Sequence, residues 1–323
     1  MKKIISTIIA LALMISACFT LSACGGSNKI KINPDKEHYV VGICQLVTHE
    51  SLDKATEGFM AALKSELEAA GRTVEFKLQN AAGDTNTCPT IINSFVADDV
   101  DLIMANATPA LQAAYNGTTT IPVLGTSVTD YGVAFEIENF NGVVGNNVSG
   151  TSDAVAFGDQ AQMMIDTLGL VAGDKIGVLY CTAEPNSLYQ YEEVKAYFES
   201  KGITDVTAYT FTDSNDLASV VTNAAANCKA LYIPSDNTAA ANDEAIGHIC
   251  LPAGVPVFTS YASAICYGTL AIDYYELGVE TGKMAAKVLL GKEDITEMKV
   301  KTISSVKEFN NDICEELGIA VEE

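Results

Sequence analysis

Residues 229–243 read KALYIPSDNTAAAND. An unbroken apolar run, Ala230–Ile233, meets a polar turn and then Asn237, Thr238 and a string of alanines that open a helix. A strand without polar alternation has both faces covered, which is the condition of a parallel sheet flanked by helices. The plan recurs at residues 100–114, VDLIMANATPALQAA, where Thr108 and Pro109 supply a cap and a first helical position. Working outward, YVVGICQL precedes the amphipathic SLDKATEGFMAALKSELEAAG, and IPVLGTSV, DKIGVLYC, CKALYIP and VPVFTS each border a helical stretch. This alternation predicts an α/β protein with parallel sheets.

The rhythm is interrupted once, by the glycine- and asparagine-rich NGVVGNNVSGTSD at 141–153. Two runs of β–α units on either side predict two doubly wound lobes. In open parallel sheets, ligands bind outside the carboxyl ends of the strands, so two facing lobes make those ends the walls of one cleft.

The 323 residues carry a formal charge of −22. Residues 1–23 hold Lys2, Lys3 and no acid, so their removal takes the charge from −22 to −24. A surface of that sign repels phosphate backbones, which argues against a nucleic-acid partner. MKK followed by IISTIIALALMISA is a basic and then an apolar segment, too short for a membrane span and suited to an export signal. The following LSAC resembles a bacterial lipoprotein signal, which makes Cys24 the lipid-bearing (palmitate-carrying) first residue of the mature chain. Residues 24–37 then read as a flexible tether. The localisation expected is the outer face of the cytoplasmic membrane, with the body held there by lipid. Past Cys24 the chain has seven cysteines, none in a C-x-x-C pair and most within apolar runs, which predicts free, buried thiols and no zinc site.

No catalytic constellation is visible. There are three histidines, His38, His49 and His248, none at metal-ligand spacing, and there is no phosphate loop, dinucleotide fingerprint or nucleophile elbow. The expectation is a binding protein without cofactor or metal, not an enzyme. A ligand would meet the strand ends. On the first lobe these offer Gln45, His49 in the loop QLVTHES, Thr108 at a helix start, and Thr126 and Ser127 of the GTS turn. Backbone amides at a helix start together with hydroxyls can hold a carboxylate, and the lone arginine, Arg72, stands at the opposite ends of the strands. On the second lobe they offer Asp153, Glu184, Asn186 and Asp236. Each acid could cap its own helix. Because Asn237 and Thr238 provide alternative caps, Asp236 is expected to face a cationic group on the ligand, aided by Glu184. Donors on one wall and acids on the other describe a site for a zwitterion, an α-amino acid or a close relative.

The stretches VGICQLVTHESLDKATEGF, QNAAGDTNT, VLGTSVTD, LYCTAEPNS, YIPSDNTAA and LAIDYYELGVETGKMAAKVLLG, with the two β–α units above, span nearly all of residues 40–292. In these the chain resembles solute-binding proteins of ABC transporters with the type I periplasmic-binding fold, and is similar to the branch of tryptophan- and tyrosine-binding lipoproteins. The resemblance implies two lobes joined by three hinge crossings, placed near residues 141–152, 257–262 and 293–302. It divides the chain into 38–148 plus 258–297 and 149–257 plus 298–323. It further implies an aromatic L-amino acid as ligand, an ABC permease with its ATPase as partners, and a monomer. Where the family has an acidic pair after the VPVF strand, this chain reads TSYAS, so Tyr261 or Tyr189 is a candidate stacking face. A ligand sensor of the same fold, or a nucleoside or sugar binder, is the alternative; the absence of Trp disfavours a sugar.

Overall fold

A computed structural model describes residues 30–319. Lobe 1 runs β1 (His38–Gln45), α1 (Glu50–Ala69), β2 (Thr73–Asn80), α2 (Thr87–Ala97), β3 (Leu102–Asn106), α3 (Thr108–Gly117), β4 (Val123–Val128), α4 (Tyr131–Ala134) and β5 (Val148–Ser152). Lobe 2 follows with α5 (Phe157–Leu168), β6 (Ile176–Cys181), α6 (Pro185–Ser200), β7 (Val206–Phe211), α7 (Ser214–Asn227), β8 (Ala230–Ile233), α8 (Asn237–Ala240), α9 (Asp243–Cys250), β9 (Val257–Thr259) and β10 (Gly268–Ile272). Then α10 (Tyr274–Leu289) and β11 (Lys301–Thr302) return to lobe 1, while β12 (Ser305–Phe309) and α11 (Asn311–Leu317) end in lobe 2.

Each lobe has a six-stranded sheet, ordered β11-β5-β4-β3-β1-β2 and β12-β10-β9-β8-β6-β7. The pairings are parallel except β10–β12. The central strands β3, β4, β6 and β8 are buried at every residue, as their continuous apolar runs require. Helices cover both faces. Along α1, Leu52, Ala55, Phe59, Leu63 and Leu67 form one apolar stripe at helical spacing. That stripe meets α10 at close quarters: a Cβ on Gly278 would stand 2.0 Å from the Ala55 carbonyl oxygen, so only glycine lets the backbones touch.

The sheets relocate the expected lobe boundaries. β5 lies inside the passage read as a linker, yet it pairs with β4 and completes the first sheet. β9 and β10, assigned in part to lobe 1 from the resemblance, extend the second sheet instead by pairing with β8 and with each other. The chain therefore crosses between lobes after Ser152, at Asp273, and between Thr302 and Ser305.

The tether expectation also needs correction for its second half. Residues 30–36 lie along lobe 1, with the Lys31 amide donating to the Thr120 carbonyl at 2.7 Å and Lys36 Nζ 2.6 Å from Asp101. The export signal and Cys24 fall outside the described residues. Among the described residues no helix is long and apolar enough to cross a membrane.

Candidate functional site

The carboxyl ends of β3, β4 and β5 stand side by side, with Asn106 opposite Thr126 and Val128 opposite Ser152. Between Gly125 and Val128 the β4–β5 register shifts, a bulge that re-aims Ser127. Ser127 has φ +54°, and Ala107, just before α3, has φ +95° with ψ 155°. Such backbone is costly for residues with a Cβ and concentrates where a site requires it. Ala107 precedes, and Ser127 itself carries, a hydroxyl with no partner: Thr108 Oγ1 and Ser127 Oγ are buried and make no hydrogen bond.

Two acceptors elsewhere at the strand and helix ends are in the same condition. Asp153 follows β5 and is fully buried; Oδ2 accepts from the Tyr274 hydroxyl at 2.9 Å, while Oδ1 has no partner. Burial raises the Asp153 pKa, and the nearby Tyr274 and Thr129 hydroxyls pull it part of the way down. Asn186, in the first turn of α6, gives its amide hydrogen to the Ser235 carbonyl at 2.8 Å, which turns its unpartnered Oδ1 the other way. The start of α6 is held against lobe 1 by Gln190. Its Nε2 donates to Thr129 Oγ1 at 3.1 Å, and its Oε1 accepts from the Ser235 amide and the Ser260 hydroxyl. Buried polar groups normally find partners, and each orphan costs about 1–3 kcal/mol. Two hydroxyls and two oxygen acceptors, one of them a carboxylate, are thus buried without partners near these strand ends.

Six further residues expected at the site have other employment. Asp236, expected to meet a ligand cation, has both carboxylate oxygens committed: Oδ1 caps α8 through the Ala239 amide at 2.8 Å, and Oδ2 accepts from the Cys181 amide at 2.7 Å. Glu184 accepts four hydrogen bonds from Asn237 and Thr238, backbone and side chain, at 2.6–2.9 Å. The two supposed alternative caps are therefore donors to Glu184, not substitutes for Asp236. Burial, and then the Glu184 charge, push the Asp236 pKa up to about 8. Gln45 is satisfied within lobe 1 by Val47, Asp53 and Thr56. Thr126 belongs to a threonine chain through Thr151 to Thr281. Tyr261 is buried and donates to Asp243 at 2.8 Å, leaving no open stacking face. His49 touches Asn237 across the cleft. Tyr189, half-buried, stands edge-on to Phe157 with ring centroids 5.9 Å apart.

Thr129, Gln190 and Tyr274 were not anticipated. Gln190 and Tyr274 lie inside helical patterns and Thr129 in a loop, and nothing in their local sequence distinguishes them. A weak signal existed for Gln190, a polar residue four positions after Asn186 and hence on the same helix face.

Two parallel-sheet lobes crossed three times by the chain, with unsatisfied polar groups between them, define a bilobal solute-binding protein of the type I periplasmic-binding fold. The chain matches the ABC transporter substrate binding protein family over residues 40–323 and belongs to it. It is 34% identical to a tyrosine-binding protein of Clostridioides difficile over 317 residues, covering 96% of this chain and 90% of that one. Among solved structures it is similar to an ABC domain in complex with L-Trp from Streptococcus pneumoniae (TM-score 0.82, 31% identity, 88% of this chain and 96% of that one). It also resembles the ligand-free, open form of a substrate-binding protein with adhesive properties from Clostridium difficile (TM-score 0.63, 32% identity, 88% and 96%). Identity and coverage are nearly equal in the two structural matches.

Proposed function

We propose that this protein is the lipid-anchored receptor of an ABC importer, and that it captures an α-amino acid with an aromatic side chain between its lobes. The observation that carries this reading is four of the nine buried, unpartnered side-chain atoms found among the described residues. Thr108 Oγ1 and Ser127 Oγ, with the amides at the start of α3, take the carboxylate; Asp153 Oδ1 and Asn186 Oδ1 take the ammonium. Asp153 provides the one negative charge in the set, which matches one ammonium. The half-buried rings of Phe157 and Tyr189 stand four residues beyond Asp153 and three beyond Asn186, and offer an apolar wall to an aromatic side chain. The tyrosine-binding name of one relative and the L-Trp in another support the same ligand class.

The protein works as a monomer at the outer face of the cytoplasmic membrane, tethered through Cys24, and its closed form is what a permease with its ATPase recognises. Closure is hinge bending at the three crossings. Titration calorimetry with L-tyrosine, L-tryptophan and L-phenylalanine, against tyramine and 4-hydroxyphenylacetate, tests the assignment. The zwitterions should bind, and analogues lacking either charged group should lose most of the affinity. Binding of a nucleoside or sugar in preference to every amino acid would overturn it.

A further inference from the structure

His49 sits immediately before α1, where a side chain commonly caps the helix, yet its imidazole makes no such bond. It points across the cleft instead, with Nε2 3.2 Å from Oδ1 of Asn237, the first residue of α8 in the opposite lobe. The polarity of this contact is fixed from the far side. Asn237 donates through Nδ2 to Glu184 Oε2 at 2.6 Å, so its oxygen must face the histidine. An acceptor at that position requires hydrogen on Nε2, and burial lowers the His49 pKa, which favours the neutral ring. Glu184 is itself held by the Thr238 amide and hydroxyl at 2.8 Å, so the presenting amide is anchored through a second residue of the same short helix. A buried carboxylate without a cation is here used to aim one side-chain amide at the other lobe.

From this chain of contacts we infer that His49 and Asn237 form a closure latch, a hydrogen bond between the lobes that touches no ligand and sets how long ligand is retained. The inference rests on the receptor reading above. The bond exists only with the lobes together, so its free energy enters the closed state alone. Binding energy spent on closure lowers apparent affinity by the competent fraction, and a contact confined to the closed form raises that fraction. A neutral hydrogen bond shifts such an equilibrium about fivefold.

The test is a double-mutant cycle with two readouts. Spin labels at the exposed positions Leu78 in lobe 1 and Val171 in lobe 2, introduced as Leu78→Cys and Val171→Cys, report interlobe distance without ligand. Stopped-flow release of L-tyrosine or L-tryptophan reports retention. His49→Ala and Asn237→Ala should each reduce the closed fraction and speed release about fivefold, and the double variant should add little to either single one. His49→Gln, which restores a donor near the Nε2 position, should recover most of the wild-type behaviour. A closed fraction unmoved by His49→Ala, or fully additive single effects, would overturn the latch. Failure of the wild type to bind any amino acid would instead strike the receptor reading, while the distance measurement still decides the latch.

Discussion

Replacing Asp153 by Asn separates binding from folding by giving them opposite signs. In the unliganded protein Asp153 is a fully buried carboxylate with only the neutral Tyr274 and Thr129 hydroxyls beside it and no cation, and burial raises its pKa. Neutralising it removes a desolvation cost and retains an oxygen for the Tyr274 hydroxyl, so the melting temperature should hold or rise. With ligand bound, the same change leaves a desolvated ammonium without its counter-charge, and turns the amide hydrogens towards the position the ammonium occupies. Losing one partner of a buried charged pair costs about 2–5 kcal/mol, or roughly 30-fold to a few thousandfold in affinity. The pH profile provides a second reading. Ligand ammonium favours ionised Asp153, so its pKa is lower bound than free, and affinity should fall as pH drops through the raised free value. Asp153→Asn should abolish that dependence. Calorimetry with L-tyrosine and L-tryptophan across pH, beside thermal melts of the unliganded protein, measures all three quantities. Affinity within threefold of wild type, or a destabilised fold, would refute the assignment of Asp153 to the ammonium.

Asp236→Ala should do the reverse, lowering stability by about 2–4 kcal/mol through loss of a helix cap and orphaning of the buried Cys181 amide, with affinity changed only a few-fold; urea denaturation and calorimetry read the two. Asp236 is pushed up to about 8 in the folded chain from the ordinary carboxylate range, so the folded state binds its proton more tightly. That contribution is complete below the unfolded pKa, near 4, and is lost as pH rises towards 8; Glu184→Gln should flatten this part of a melting-temperature profile. Cys24→Ser should release the protein from membranes into the medium, and retention in the membrane fraction would refute the lipid anchor. The seven described thiols, six of them buried, should react slowly with a thiol probe in the folded state and fully in denaturant. Prompt reaction of several thiols in the folded protein would contradict that burial.

The unequal legibility of fold and site has a physical origin. Continuous apolar runs such as LIMAN and ALYI require cover on both faces whatever surrounds them, so local sequence is sufficient to predict buried parallel strands. Which sheet a strand joins is a non-local matter, and the VPVF and GTLAI runs would suit either lobe; pairing with β8 decides it. The acids pose a harder version of the same problem. Asp153, Glu184 and Asp236 all follow strands and all precede helices, and they are indistinguishable as sequence. Asp236 and Glu184 find five backbone or side-chain donors around α8 and one at the end of β6, which fills both carboxylates. Asp153 follows a crossing strand that leaves its lobe, so it begins no helix of its own: α5 starts four residues later, with no side-chain cap. One Asp153 oxygen is consequently left over. A carboxylate at a strand end is free for a ligand when the chain beyond it departs instead of coiling back into a helix, and that distinction depends on where the hinges lie. The sequence reading spreads the first hinge over residues 141–152, whereas the chain leaves the first sheet just after Ser152, and that position is what separates Asp153 from the helix-capping acids.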